Sequence, residues 1–94
     1  MSDVQAVFAP QGPLTMLSAA ALLAEGRRLA AEAPLTIDLG AVTAADSAAL
    51  ALILDWLRAA RTSGQRIVLR NLPAGLVSLA ALYDIDTLLP LEPK

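Results

Sequence analysis

The segment Leu35-Thr36-Ile37-Asp38-Leu39, with Pro34 in front of it and Gly40 behind, constrains the fold of this chain more than any other. It is apolar along its length apart from Thr36 and Asp38, and a strand of that kind is covered on both faces and sits centrally in a sheet. Pro34 has no N–H to give and crowds the preceding turn, so it closes an Ala-rich helix expected from Ser18 to about Ala33. Ser18 is placed to cap that helix, and Leu22, Gly26, Leu29 and Ala33 share one of its faces. On the other side, Gly40 to Asp46 reads as a loop. Ser47 then begins the longest helix, which ends near Thr62 with Ser63-Gly64 as its stop.

Gln65 to Leu69 returns as a strand whose apolar body is Ile67, Val68 and Leu69. Asn71-Leu72-Pro73 opens a third helix carrying Leu76, Leu79, Ala80 and Tyr83 on one stripe, with the proline in the first turn where a missing N–H costs nothing. Nearer the N-terminus, Val4 to Ala9 alternates weakly and Leu14 to Leu17 resumes as a short strand. The turn punctuation Pro10-Gln11-Gly12-Pro13 between them predicts an antiparallel hairpin. Alternating strands and helices imply parallel strands joined by right-handed crossovers. The predicted fold is therefore α/β: a mixed β-sheet with an N-terminal antiparallel hairpin and about three helices packed on it. Ninety-four residues, 56% of them hydrophobic, are expected to build one core and a single domain over 1–94.

The chain lacks both cysteine and histidine. Disulfides, thiolate metal sites and a cysteine nucleophile are thereby excluded, and the usual general base of hydrolases is missing. No cofactor or metal is expected, and no catalytic residues. The net charge of −2 and the scatter of arginines over positions 27, 28, 58, 61, 66 and 70 argue against nucleic acid, whose phosphates call for clustered cations. Neither a secretory leader nor a membrane span is expected, because the longest apolar stretch, about Ala44 to Ala60, is interrupted by Asp46, Asp55 and Arg58. The glycines form no phosphate-cradling motif, so nucleotide hydrolysis would have to belong to a partner.

At 100° per residue, Leu50, Ile53, Leu54 and Leu57 form the core face of the long helix, and Asp55, Arg58 and Thr62 a polar arc. Ala49, Leu52, Trp56 and Ala59 fall on a third arc. Exposed, this arc would be an apolar patch holding the only tryptophan of the chain, the residue type most enriched at protein-binding hot spots. Packed against a neighbouring helix, it would be core, and the sequence leaves both readings open. Ser47 is likewise explained by helix capping alone. Asp38 and Asp46 flank one loop as a carboxylate pair, but no third ligand or base accompanies them.

Ile37-Asp38-Leu39, Val42 and Ala45-Asp46-Ser47-Ala48-Ala49-Leu50-Ala51-Leu52 resemble the signature of STAS domains: a strand ending in Asp-Leu, a loop, then Asp-Ser or Asp-Thr opening a helix. The resemblance runs along almost the whole chain. Leu79-Ala80-Ala81-Leu82-Tyr83-Asp84-Ile85 and Leu88-Leu89-Pro90 are similar to the tail of the small STAS subunit of Mla-type phospholipid-transport ABC systems. The resemblance implies a cytoplasmic binding module, held at the inner face of the membrane through an ABC transporter ATPase subunit. Asp46, Ser47 and Ala48, together with Leu52 and Trp56, would meet that partner. The alternative it implies is an anti-sigma factor antagonist, in which a partner kinase phosphorylates Ser47 and so blocks binding to the anti-sigma factor. Ala49 stands where such antagonists usually carry a small glycine.

Overall fold

The computed structural model describes residues 6–15 and 18–91. In chain order its elements are β1 (Ala6–Phe8), β2 (Gly12–Leu14), α1 (Ala19–Glu32), β3 (Leu35–Asp38), β4 (Val42–Ala45), α2 (Ser47–Thr62), β5 (Ile67–Arg70), α3 (Ala74–Leu82) and a 3₁₀ turn (Asp86–Leu88). A three-stranded parallel sheet has the order β1-β3-β5, with Phe8 beside Ile37 and Ile37 beside Leu69 in one row, and Leu35 beside Ile67 in another. Because side chains alternate across a strand, these residues share one face. That face is buried beneath the helices. β3 is the central strand, as its apolar run requires.

The expected antiparallel hairpin is not formed. β1 pairs in parallel with β3, and β2 pairs in parallel with β4 as a separate two-stranded unit. An isolated hairpin of two three-residue strands has too little apolar contact to be stable in water. Parallel pairing instead buries Phe8 beside Ile37, and Leu14 next to the end of β4. The Pro10–Pro13 punctuation therefore separates strands bound for different sheets. Gly12, at φ +80°, marks the register shift in β2, and Pro13 is tolerated because that strand is an edge. The outer ends of the two expected strands, Val4-Gln5 and Met16-Leu17, lie outside the described residues.

Two further expectations are corrected. Gly40 to Asp46 is not loop throughout, since Val42–Ala45 forms β4 once β2 is available to pair with it. Ser18 does not cap α1 through its side chain. Its hydroxyl donates to Pro13 O at 2.9 Å and accepts from Thr15 N at 3.1 Å, tying off the segment between β2 and α1.

α2 spans the residues expected of it and stops in a complete Schellman arrangement. Gln65 N donates to Ala60 O at 2.8 Å and Gly64 N to Arg61 O at 3.1 Å, with Gly64 at φ +72°. α3 stops in the same way, with Ile85 N on Ala80 O and Asp84 N on Ala81 O, but its left-handed position is held by Asp84 at φ +60°. A bridge between Leu69 and Leu91 returns the tail to the free edge of β5.

The tightest joint is between α1 and α2. Trp56 is fully buried, its indole lies against Gly26 of α1, and its Nε1–H donates to Leu23 O at 3.2 Å. Phe8 meets the same indole edge to face, with centroids 5.5 Å apart and planes at 80°. A Cβ built on Gly26 would penetrate the Trp56 ring, whereas one on Gly75 of α3 meets nothing within 4 Å.

That contrast sets the sign of two substitutions. Gly→Ala inside a helix ordinarily stabilises by about 0.8–1.0 kcal/mol, and Gly75→Ala, in the first turn of α3, is expected to gain a smaller part of this. At Gly26 the overpacking, typically about 1–3 kcal/mol, exceeds that gain. Gly26→Ala is therefore expected to lower the urea midpoint while Gly75→Ala raises it. Trp56→Ala, which opens a large cavity, is expected to cost about 3–5 kcal/mol. Urea denaturation followed by far-UV circular dichroism measures all three.

Candidate functional site

The N-terminal end of α2 is assembled by two short polar devices. Asp46 in extended backbone is the N-cap: its Oδ1 accepts from Ala48 N at 2.8 Å, and its carbonyl accepts from Ala49 N at 3.0 Å. Ser47 is thus the first helical residue, not the cap. It is exposed, and among the described residues its hydroxyl makes no hydrogen bond. Capping by Ser47, which would have explained the residue without any partner, does not occur.

The second device fixes the strand that delivers this end. Asp38 Oδ1 accepts from Gly40 N at 2.9 Å and from Asn71 Nδ2 at 3.1 Å, joining the β3–β4 turn to the β5–α3 connection. Asn71 reaches it from a left-handed backbone at φ +57°. Arg70 stands beside Asp38 in the strand register, and Leu39 N donates to Arg70 O at 2.9 Å. The backbone N–H of Gly40, then the Asn71 amide and, more weakly, Arg70 hold the Asp38 carboxyl below its ordinary 3.8, with burial opposing them. Asp38 and Asp46 are committed to separate hydrogen bonds, Asp38 to Gly40 N and the Asn71 amide and Asp46 to Ala48 N. Among the described residues no group of three metal-ligating side chains exists.

Beside Ser47 an open groove of about 370 Å³ runs between α1 and α2, lined by Ala19, Leu23, Ala48, Ala51, Leu52 and Asp55. All but Asp55 are apolar. Arg27 closes its lower end with a 2.8 Å ion pair to Asp55. Leu52 is only 4% exposed and forms the groove floor.

Of the two readings left open for the arc of Leu52 and Trp56, the buried one is formed, so neither offers the exposed contact expected of it. The third arc of α2 faces α1: Ala49 and Trp56 have no exposed surface, because glycine at position 26 lets the indole reach the α1 backbone. Trp56 therefore touches no partner in this conformation. Asp46, Ser47 and Ala48 are brought together at the surface, with Leu52 beneath. Sequence reasoning missed Ala19, Leu23 and Ala51, whose small or flexible apolar side chains carry no signal until the two helices are packed.

The model of the family described as "Mlab, STAS domain" matches residues 1–90. A crystal structure of a candidate anti-sigma factor antagonist from Thermotoga maritima superposes with a TM-score of 0.73 at 18% identity, covering 94% of this chain and 78% of that one. Among proteins of curated function, none matches the sequence significantly. No helix among the described residues is long and apolar enough to cross a membrane.

The Asp38 tie gives a pH dependence whose sign follows from its depressed pKa. Its stabilisation is complete above the unfolded-state value near 3.8 and is lost as pH falls through that value towards the lower folded one. Asp38→Asn is expected to be less stable than wild type at neutral pH, with the gap closing below about pH 4. Urea midpoints across pH 2.5 to 7 check it, and a gap constant with pH would refute the tie.

Proposed function

The chain belongs to the STAS domain family, and from that premise we propose that it is a non-catalytic subunit which binds and regulates the ATPase subunit of an Mla-type phospholipid-transport ABC transporter. The observation that carries this reading is the match to the Mlab-described family model over residues 1–90. The chemistry of the surface fits it. The end of α2 offers an unpartnered hydroxyl at Ser47, flanked by Asp46 and Ala48, next to an apolar groove that a partner side chain can fill. Partner contacts centre on Asp46, Ser47, Ala48 and the rim of that groove, with Leu52 reached only as its floor. Trp56 contributes by holding α1 and α2 at the spacing that makes the groove. The chain is a single STAS domain, positioned in the cytoplasm at the membrane face by its partner.

A second reading, an anti-sigma factor antagonist switched by phosphorylation, is favoured by one observation, the exposed and unbonded Ser47 hydroxyl at a helix N-terminus. A phosphate there gains from the free N–H groups and the macrodipole. Asp46 counts against it, since its carboxylate already occupies Ala48 N and would face the added charge.

The test is co-purification with the cognate ABC ATPase subunit. Ser47→Arg and Ala51→Glu, both on exposed positions, are expected to weaken capture about tenfold or more while leaving the thermal melt within a few degrees of wild type. Capture indifferent to both substitutions would remove this surface from the contact. Stoichiometric phosphorylation of Ser47 by a cognate kinase, read by intact mass, would instead select the second reading.

A further inference from the structure

Among the described residues six large apolar side chains are exposed, and five of them, Val77, Leu82, Tyr83, Leu88 and Leu91, lie in α3 or after it. Leu88 and Pro90 face Leu54, Leu57, Arg58 and Arg61 of α2 across an open groove of about 290 Å³. This surface is separate from the one around Ser47, because the two grooves share no lining residue and lie on different faces of α2. An apolar concentration of this kind on a small domain marks an interaction surface.

The charges say what fits it. Arg58 is largely exposed and reaches Asp55 only at 3.7 Å, and among the described residues Arg61 has no ion pair. The occupant of the groove should therefore be an apolar segment carrying a carboxylate. The segment that leads into this groove supplies one. Leu82 and Tyr83 are exposed at the end of α3, and Asp84 follows them, exposed and without an ion pair among the described residues. The hydrogen bonds Ile85 N to Ala80 O and Leu88 N to Ile85 O carry the chain from there to the groove. Asp84 also holds a left-handed backbone that glycine would adopt at lower cost, so its carboxylate is kept against local preference.

We propose that this face is a homodimer interface, in which Leu82 and Asp84 of each copy engage the Leu54–Leu57–Leu88 groove and the Arg58 and Arg61 guanidiniums of the other. A patch that contains both halves of a complementary contact is the requirement for a closed two-fold interface. The inference is independent of the role given to Ser47.

Sedimentation velocity of the full chain from low-micromolar to near-millimolar concentration tests it. A monomer–dimer equilibrium is expected, weakened about tenfold or more by Leu88→Asp and by Arg61→Glu, and restored when Arg61→Glu is combined with Asp84→Arg. Asp84→Gly is expected to raise the melting temperature while weakening the dimer, which separates the interface from any effect on folding. A wild-type chain that remains monomeric throughout overturns the proposal. So does a dimer indifferent to these substitutions, and so does a monomeric chain whose Leu88→Asp and Arg61→Glu variants lose only ATPase-subunit or anionic-vesicle binding.

Discussion

The contact between Trp56 and Gly26 is the constraint on which the rest of this structure depends. An indole is the largest side chain a core can hold, and here it stands where α1, α2 and β1 meet. Only the missing Cβ of Gly26 lets the ring lie on the α1 backbone, and only the Leu23 carbonyl gives its N–H a partner there. The two requirements fix the separation of the helices as well as their rotation. Leu23, three residues before Gly26, is in turn held where it forms one wall of the groove beside Ser47. A buried residue thus shapes a surface it does not reach.

The ends of the helices are specified as closely as their contact. Asp46 caps α2, the Asp38–Gly40–Asn71 tie anchors the turn leading into β4, and the Gly64 Schellman closure hands α2 over to β5. Each device satisfies backbone groups that a helix end or turn would otherwise leave unpaired. The consequence for function is subtractive. Asp46 and Asp38 each use Oδ1 on backbone N–H groups or an amide, while the exposed Ser47 hydroxyl at the start of α2 makes no such bond among the described residues.

Much of this was legible in the sequence. α2 could be placed from Ser47 to near Thr62 because Ser63-Gly64 is a strong stop and its apolar period is long, although the cap is Asp46 and not Ser47, and the run from Ile37-Asp38-Leu39 to Leu52 carried the family resemblance. What escaped had tertiary causes. β4 is four residues of Val-Thr-Ala-Ala whose strand character exists only beside β2, some thirty positions earlier. The Pro10–Pro13 segment has every local mark of a hairpin turn, and only the competing burial of Phe8 next to Ile37 sends its flanking strands apart. The helical wheel set the Trp56 arc apart but grouped Leu54 and Leu57 with Leu50 and Ile53, whereas they are half-buried and line the groove facing Leu88, and no wheel can say that another helix carries a glycine at the matching height.

α2 therefore presents three faces with three different fates, which explains its apolar excess. One covers the sheet through Leu50 and Ile53, one locks to α1 through Ala49 and Trp56, and the third, bearing Leu54, Leu57, Arg58 and Arg61, turns towards the C-terminal segment without being fully covered by it. A helix serving only as core would need one apolar stripe of about 100°. The additional half-covered stripe runs from about two turns beyond Ser47, at Leu54, to about four, at Arg61, and shares no lining residue with the groove beside Ser47, so two partners can be accommodated on one helix without competing for the same atoms. The mean hydropathy of +0.60, high for so small a chain, then reflects surface meant to be covered as much as interior already buried.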